Sequence, residues 1–147
     1  MSLVTFQTWL ARLTASPELV RAVRADPDLL DDPDLSKLER TRLARIAGSE
    51  GMRANCMIYR ANRLAPLALN CPETLEALGD ALETLLAEFW ASEPETHVNF
   101  LMETDRFCCW LAARPEAPAS LAAEHAQVAA RLEATLGLAG RSAWVPA

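Results

Sequence analysis

Apolar residues recur along this chain at the three-and-four spacing of amphipathic helices, and the polar residues between them supply start and stop signals. Val4, Phe6, Trp9, Leu10 and Leu13 mark a first helix that Ser2 can cap. Ser16-Pro17-Glu18 places a cap, a proline at the first helical position and an acid in the first turn, which predicts a second short helix through Ala25. Residues 26–35, with five aspartates and two prolines, can form only a loop or a single turn. Ser36 and Glu39 then make a capping box for a helix that stops at Gly48, with Leu38, Leu43, Ile46 and Ala47 expected to face inward.

Ser49 caps the next helix, in which Met52, Cys56, Tyr59 and Arg63 fall on one stripe and Arg53, Met57 and Arg60 on an adjacent one. Pro66 is expected to bend or end it. Cys71-Pro72-Glu73 opens a long helix with a continuous apolar stripe from Leu75 through Leu78, Leu82, Leu85 and Leu86 to Phe89, broken by Ser92-Glu93-Pro94. A further helix runs from about Val98 to Arg114, where Phe100, Leu101, Phe107, Trp110 and Leu111 supply bulk. Ser120 begins the last helix, which ends at Gly137, and residues 138–147 read as a tail in which Trp144 and Val145 can dock on a groove.

These elements predict an all-α protein of six or seven helices, short ones first and longer amphipathic ones after. At 147 residues the chain suits one helical domain over residues 1–137, with one candidate subdivision near Gly48 to Gly51. A composition of 51% hydrophobic and 23% charged residues, rich in Ala, Leu, Arg and Glu, agrees with helix. The first 25 residues, with Arg12, Glu18, Arg21 and Arg24 and polar residues between the apolar ones, hold no export-signal core, and the longest uncharged apolar run is far short of a membrane span, so neither is expected. With that, four cysteines that form no CxxC pair point to reduced thiols in a cytoplasm.

The net charge of −6 disfavours a general nucleic-acid binder, but it averages over a strong asymmetry. Residues 1–35 carry three basic and six acidic groups, residues 36–72 seven and two, and residues 73–147 four and twelve. The middle is a basic island, suited to an acidic peptide, a phosphate or an acidic partner surface, or to the acidic helices of its own fold. The pair of helices spanning residues 36–64 has the length of a helix-turn-helix, yet the second carries Met57, Ile58 and Tyr59 where a recognition helix presents polar base-reading groups.

Catalytic chemistry is not written in any local motif. His97 and His125 are the only histidines, one at a helix start and one beside Glu124 on what reads as a surface helix. Glu103 and Asp105 point to different faces of their helix, and Cys108 and Cys109 diverge by about 100°. The aspartates of residues 26–35 lack the central glycine and the twelfth-position glutamate of a calcium loop. Cys56, Cys71, Cys108 and Cys109 form no CxxC pair, so neither a metal nor another cofactor is expected, although a small helical cofactor-binding enzyme using Cys108, Cys109 and His97 stays as an alternative.

The run YRANRLAPLALNCPETLEALGDALETLLAEFWASEP and the later FLMETDRFCCWLAARPEAPASLAAEHAQVAARLEATLG resemble a helical family that carries a DNA-binding label. The matching residues are Tyr59, Arg60, Leu78, Gly79, Phe89, Trp90, Pro94, Phe107, Trp110, Leu111, Arg114, Pro115, Ala130, Leu132 and Glu133, within residues 52–136. That family often accompanies TIM-barrel enzymes with a multinuclear iron site, and it includes the MbnC-like partner subunits of methanobactin biosynthesis. The resemblance implies a non-catalytic accessory subunit that binds a TIM-barrel iron oxidase and helps present a ribosomally made precursor peptide. The family's label implies instead a DNA-associated regulator. MbnC-like subunits carry a further β-rich C-terminal segment implicated in leader binding, whereas this sequence ends after helices, so partner docking is implied more directly than leader recognition. Arg53, Tyr59, Arg60 and Arg63 are the expected partner-binding residues, because they lie on the basic helix beside its apolar stripes.

Overall fold

The computed structural model describes residues 3–94, 96 and 99–136, and among them every regular element is helical. Among the described residues there are eight α-helices: α1 (Leu3–Ala15), α2 (Pro17–Ala25), α3 (Lys37–Ala47), α4 (Glu50–Asn70), α5 (Pro72–Leu78), α6 (Leu82–Ser92), α7 (Phe100–Ala112) and α8 (Leu121–Leu136). The proposed cap at Ser2, His97 and the segment from Gly137 onward lie outside the described residues. No described helix is long and apolar enough to cross a membrane.

The chain divides into two compact units, Met1–Asn62 and Arg63–Ala147. The division falls within α4 and not at Gly48 to Gly51, where the sequence suggested one. Gly48 caps the end of α3, and Gly51 lies in the first turn of α4. Each side of the true division has its own apolar cluster, and α4 contributes Met52 and Cys56 to the first and Leu67 to the second.

In the first unit, Trp9, Leu13, Val20, Val23, Leu30, Leu43 and Ala47 come together from α1, α2, α3 and a 3-10 turn at Pro27–Leu30. The start signals act as predicted. The backbone N–H of Leu19 donates to Ser16 Oγ at 3.1 Å, Met52 N–H to Ser49 Oγ at 3.1 Å, and the Ser36/Glu39 capping box closes in both directions. The aspartates of the loop accept local backbone bonds, Asp28 N–H to Asp26 and Asp34 N–H to Asp32, which is turn-capping chemistry. Leu38 does not face inward: it is 58% exposed, because the buried stripe of α3 runs through Glu39, Leu43 and Ala47 at four-residue steps and Leu38 sits about 100° to one side.

The second unit packs α5, α6, α7, α8 and the C-terminal part of α4 around Phe89 and Phe107, whose ring centroids lie 5.3 Å apart in an edge-to-face pair. The expected long helix from Pro72 to Ser92 is divided in two, since Gly79 takes φ 49° and ψ −125°, a backbone state that a Cβ opposes. The apolar stripe nevertheless survives the break, with Leu75, Leu78, Leu85, Leu86 and Phe89 all buried. Phe100, expected to add bulk, is half exposed at the first position of α7. The first turn of α5 has no cap from Cys71. Instead Glu124 of α8 reaches it, accepting the N–H groups of Glu73 at 3.0 Å and Thr74 at 2.9 Å, so an acid on one helix satisfies the positive end of another.

Pro66 neither ends α4 nor removes it from the core; the helix continues to Asn70 and Pro66 is buried. Proline withdraws the N–H that Asn62 C=O would accept, but tertiary contacts hold the next turn. The Pro66 carbonyl accepts Asn70 Nδ2 at 2.7 Å and the Thr104 hydroxyl of α7 at 3.2 Å.

One consequence can be read by titration. The Trp9 indole N–H donates to Asp32 Oδ2 at 3.0 Å, and this bond, followed by the Asp34 N–H, holds the Asp32 carboxyl below its ordinary value of 3.8. A depressed folded-state value means that the stabilisation is whole above the ordinary aspartate range and is lost as pH falls through the lower one. The Trp9 indole proton resonance should therefore stay fixed until pH drops below that range and then shift, and Asp32→Asn should abolish the transition; a midpoint at or above the ordinary value would contradict the contact.

Candidate docking groove

The basic helix α4 meets α2 at the Arg60–Glu18 ion pair, and its ridge at Arg53, Met57 and Arg60 follows from spacings of four and three residues on one face. Between the two helices runs a groove of about 490 Å³, lined by Pro17, Val20, Arg21, Arg24, Glu50, Arg53, Ala54, Cys56, Met57 and Arg60. All of it belongs to the first unit. The walls are cationic and the floor is apolar, and Met57 is 70% exposed.

The guanidinium groups of Arg21 and Arg53 are mostly exposed, whereas that of Arg60 is three-quarters buried. Glu18 accepts from Arg60 at 2.8 Å and from Arg21 at 3.3 Å, and Glu50 accepts from Arg53 at 3.0 Å. Two carboxylates thus serve three of the four arginines in a site where all these pairs are at least partly wet. The two exposed pairs, Arg21–Glu18 and Arg53–Glu50, are worth about 0–1 kcal/mol each, so they exchange readily for a better anion. Four guanidinium groups against two carboxylates leave the groove positive on a protein whose net charge is −6.

Of the four residues expected to bind a partner, two belong here. Arg53 is exposed on the rim and Arg60 is a quarter exposed in the wall. Tyr59 is half-buried and is not among the lining residues. Arg63 requires a correction: it is 1% exposed and cannot meet a partner. Its Nε donates to Glu103 Oε1 of α7 at 2.6 Å, and its guanidinium carbon lies 5.3 Å from the centre of the Phe89 ring. The stripe that holds Met52, Cys56 and Arg63 is the inward face of α4, and an arginine occupies a core position on it because a buried acid awaits there.

The cysteines separate as helical geometry requires. Cys108 is fully buried with its sulfur 3.5 Å from that of Cys71, and this contact together with burial pushes the Cys108 thiol far above its ordinary value. Cys109 is exposed on the other side of α7. There the structure makes a cluster that no local motif announces. His125 of α8 is half-buried, with Nε2 2.8 Å from Asp105 Oδ1 and 3.7 Å from Cys109 Sγ. The available signals were Asp105 and Cys109 at i and i+4, which face one way, and a histidine on the following helix. Nucleophilic relay does not fit this arrangement, since acid and thiol approach the same ring nitrogen, and burial followed by the Asp105 charge pushes the Cys109 thiol upward.

No family model, curated protein or solved structure compared with the chain matches it.

The burial of Arg63 yields a prediction. Arg63→Ala leaves the Glu103 carboxylate unpaired in the core and should cost about 3–5 kcal/mol, whereas replacing both partners by apolar residues, Arg63→Met with Glu103→Leu, should recover most of that loss. Urea denaturation monitored by circular dichroism measures both. A single variant as stable as the wild type would contradict the structural role.

Proposed function

We propose that this chain is a non-catalytic accessory subunit that binds a TIM-barrel multinuclear iron enzyme and helps present a ribosomally made precursor peptide. The observation that carries the reading is the α2–α4 groove: a slot with cationic walls and an exposed methionine, sized for a few side chains of an acidic, partly apolar segment. Met57 supports it further, since a flexible thioether adapts to different apolar partners. The adjacent Ile58 is 59% exposed and extends the apolar surface of α4. The family resemblance, which begins on this helix at Tyr59 and Arg60, supplies the class of partner.

In this role the protein contributes binding free energy and orientation, and the oxidation chemistry belongs to the partner. Arg21, Arg53 and Arg60 would exchange their pairs with Glu18 and Glu50 for carboxylates of the bound segment, and Arg24 would add a further cation, which raises the association rate and sets its direction in the groove.

Co-expression with a TIM-barrel multinuclear iron enzyme should give a stoichiometric heterodimer. The double charge reversal Arg24→Glu with Arg53→Glu should weaken that complex at least tenfold, and raised salt should weaken the wild-type complex in the same direction. Both side chains are exposed, so the melting temperature should change little. A protein that purifies alone, or that binds duplex DNA with a steep salt dependence instead, would overturn the reading in favour of a DNA-associated regulator.

A further inference from the structure

Outside the groove, the Asp105, Cys109 and His125 side chains bring three different donor atoms, a carboxylate oxygen, a sulfur and an imidazole nitrogen, within 4.8 Å of one another. We infer that this trio on α7 and α8 is a binding site for a zinc-class divalent ion. The inference goes beyond the accessory-subunit reading and does not rest on it.

The backbone puts the donors in place without strain on any loop. Asp105 and Cys109 stand one turn apart on α7, so both project to the same side, and His125 faces them from α8. Beneath the trio, Cys108, Leu111, Leu121 and Val128 are buried and fix how the two helices pack. A tetrahedral zinc site holds nitrogen and sulfur about 3.6 Å apart and nitrogen and oxygen about 3.3 Å apart, from its metal–ligand lengths. The observed nitrogen–sulfur distance of 3.7 Å already fits, and the nitrogen–oxygen distance of 2.8 Å needs to open by only about half an ångström, within reach of a carboxylate rotation.

The donor set also selects the ion. Oxygen alone would suit magnesium or calcium, and a thiolate with imidazole suits zinc or cobalt. Asp105 and a deprotonated Cys109, its proton lost to solvent, balance the charge of a divalent cation. Both acid and imidazole are over a quarter exposed, which gives the ion an entry path. Three protein ligands leave a fourth position, and His125 borders a cleft of about 440 Å³ lined by Ala112, Ala117, Leu121, Ala126 and Ala129, where water or a small donor can complete the shell.

The test is titration of the purified full chain, stripped of metal, with cobalt(II) alone. One equivalent should develop a thiolate-to-cobalt charge-transfer band and tetrahedral visible bands, and equimolar zinc should bleach them. Cys109→Ser should remove the charge-transfer band. His125→Gln and Asp105→Asn should each weaken binding at least tenfold, the low end of what even an outer-shell loss costs a metal site. Circular dichroism reports whether each variant folds; should the serine variant fail to, the glutamine variant, with its thiol intact, decides the question. Absence of the band in the wild type, or equal bands in wild type and folded variants, would overturn the inference.

Discussion

The ion pair between Arg63 and Glu103 is the constraint on which the second unit depends. Both side chains are almost wholly withdrawn from water, and neither charge can be left alone there without several kcal/mol of desolvation cost. The pair therefore locks α4 to α7 in one register. Just beyond it, Pro66 would ordinarily loosen the helix, yet its carbonyl is claimed by Thr104 from the same face of α7. Phe89 covers the guanidinium, and the Phe89–Phe107 contact carries that order into the core. A helix with a proline and an arginine in its inward stripe is thus stable because the neighbouring helix supplies a partner for each.

That constraint divides the labour of α4. Arg63 is spent on the interior, whereas Arg53 and Arg60, on the other side of the division within the helix, line the groove with α2. The contrast is one of dielectric surroundings. The same guanidinium group is a fixed structural charge when buried and an exchangeable one when wet. The proposed docking role draws only on the wet group, and the stability of the second unit draws on the buried one.

Much of the fold was legible because its signals are local. Ser16, Ser36 and Ser49 cap where the sequence places caps, and the heavy stripe through Leu75, Leu85, Leu86 and Phe89 faces inward. What escaped the sequence was tertiary. Nothing near Arg63 announces that Glu103, forty residues on, will be buried against it; a basic residue on a basic helix reads as surface. Glu124 read as an ordinary surface acid, yet it caps α5 across some fifty residues. The Asp105, Cys109 and His125 cluster was hidden because two of its members were assessed with their sequence neighbours, Glu103 and Cys108, which a helix turns to other faces. Half of the candidate groove was accessible in this way, since Arg53 and Arg60 could be read from α4 alone, while Arg21 and Arg24 join only when α2 packs beside it.

The central claim is that the α2–α4 face, and no other, receives the partner. Hydrogen-exchange mass spectrometry on the chain alone and after co-expression with a TIM-barrel iron enzyme tests the proposal most directly. The account predicts new protection confined to Pro17–Ala25 and the first half of α4, with α7 and α8 unchanged. Protection centred on α7 and α8, with the groove still exchanging as in the free chain, would contradict it.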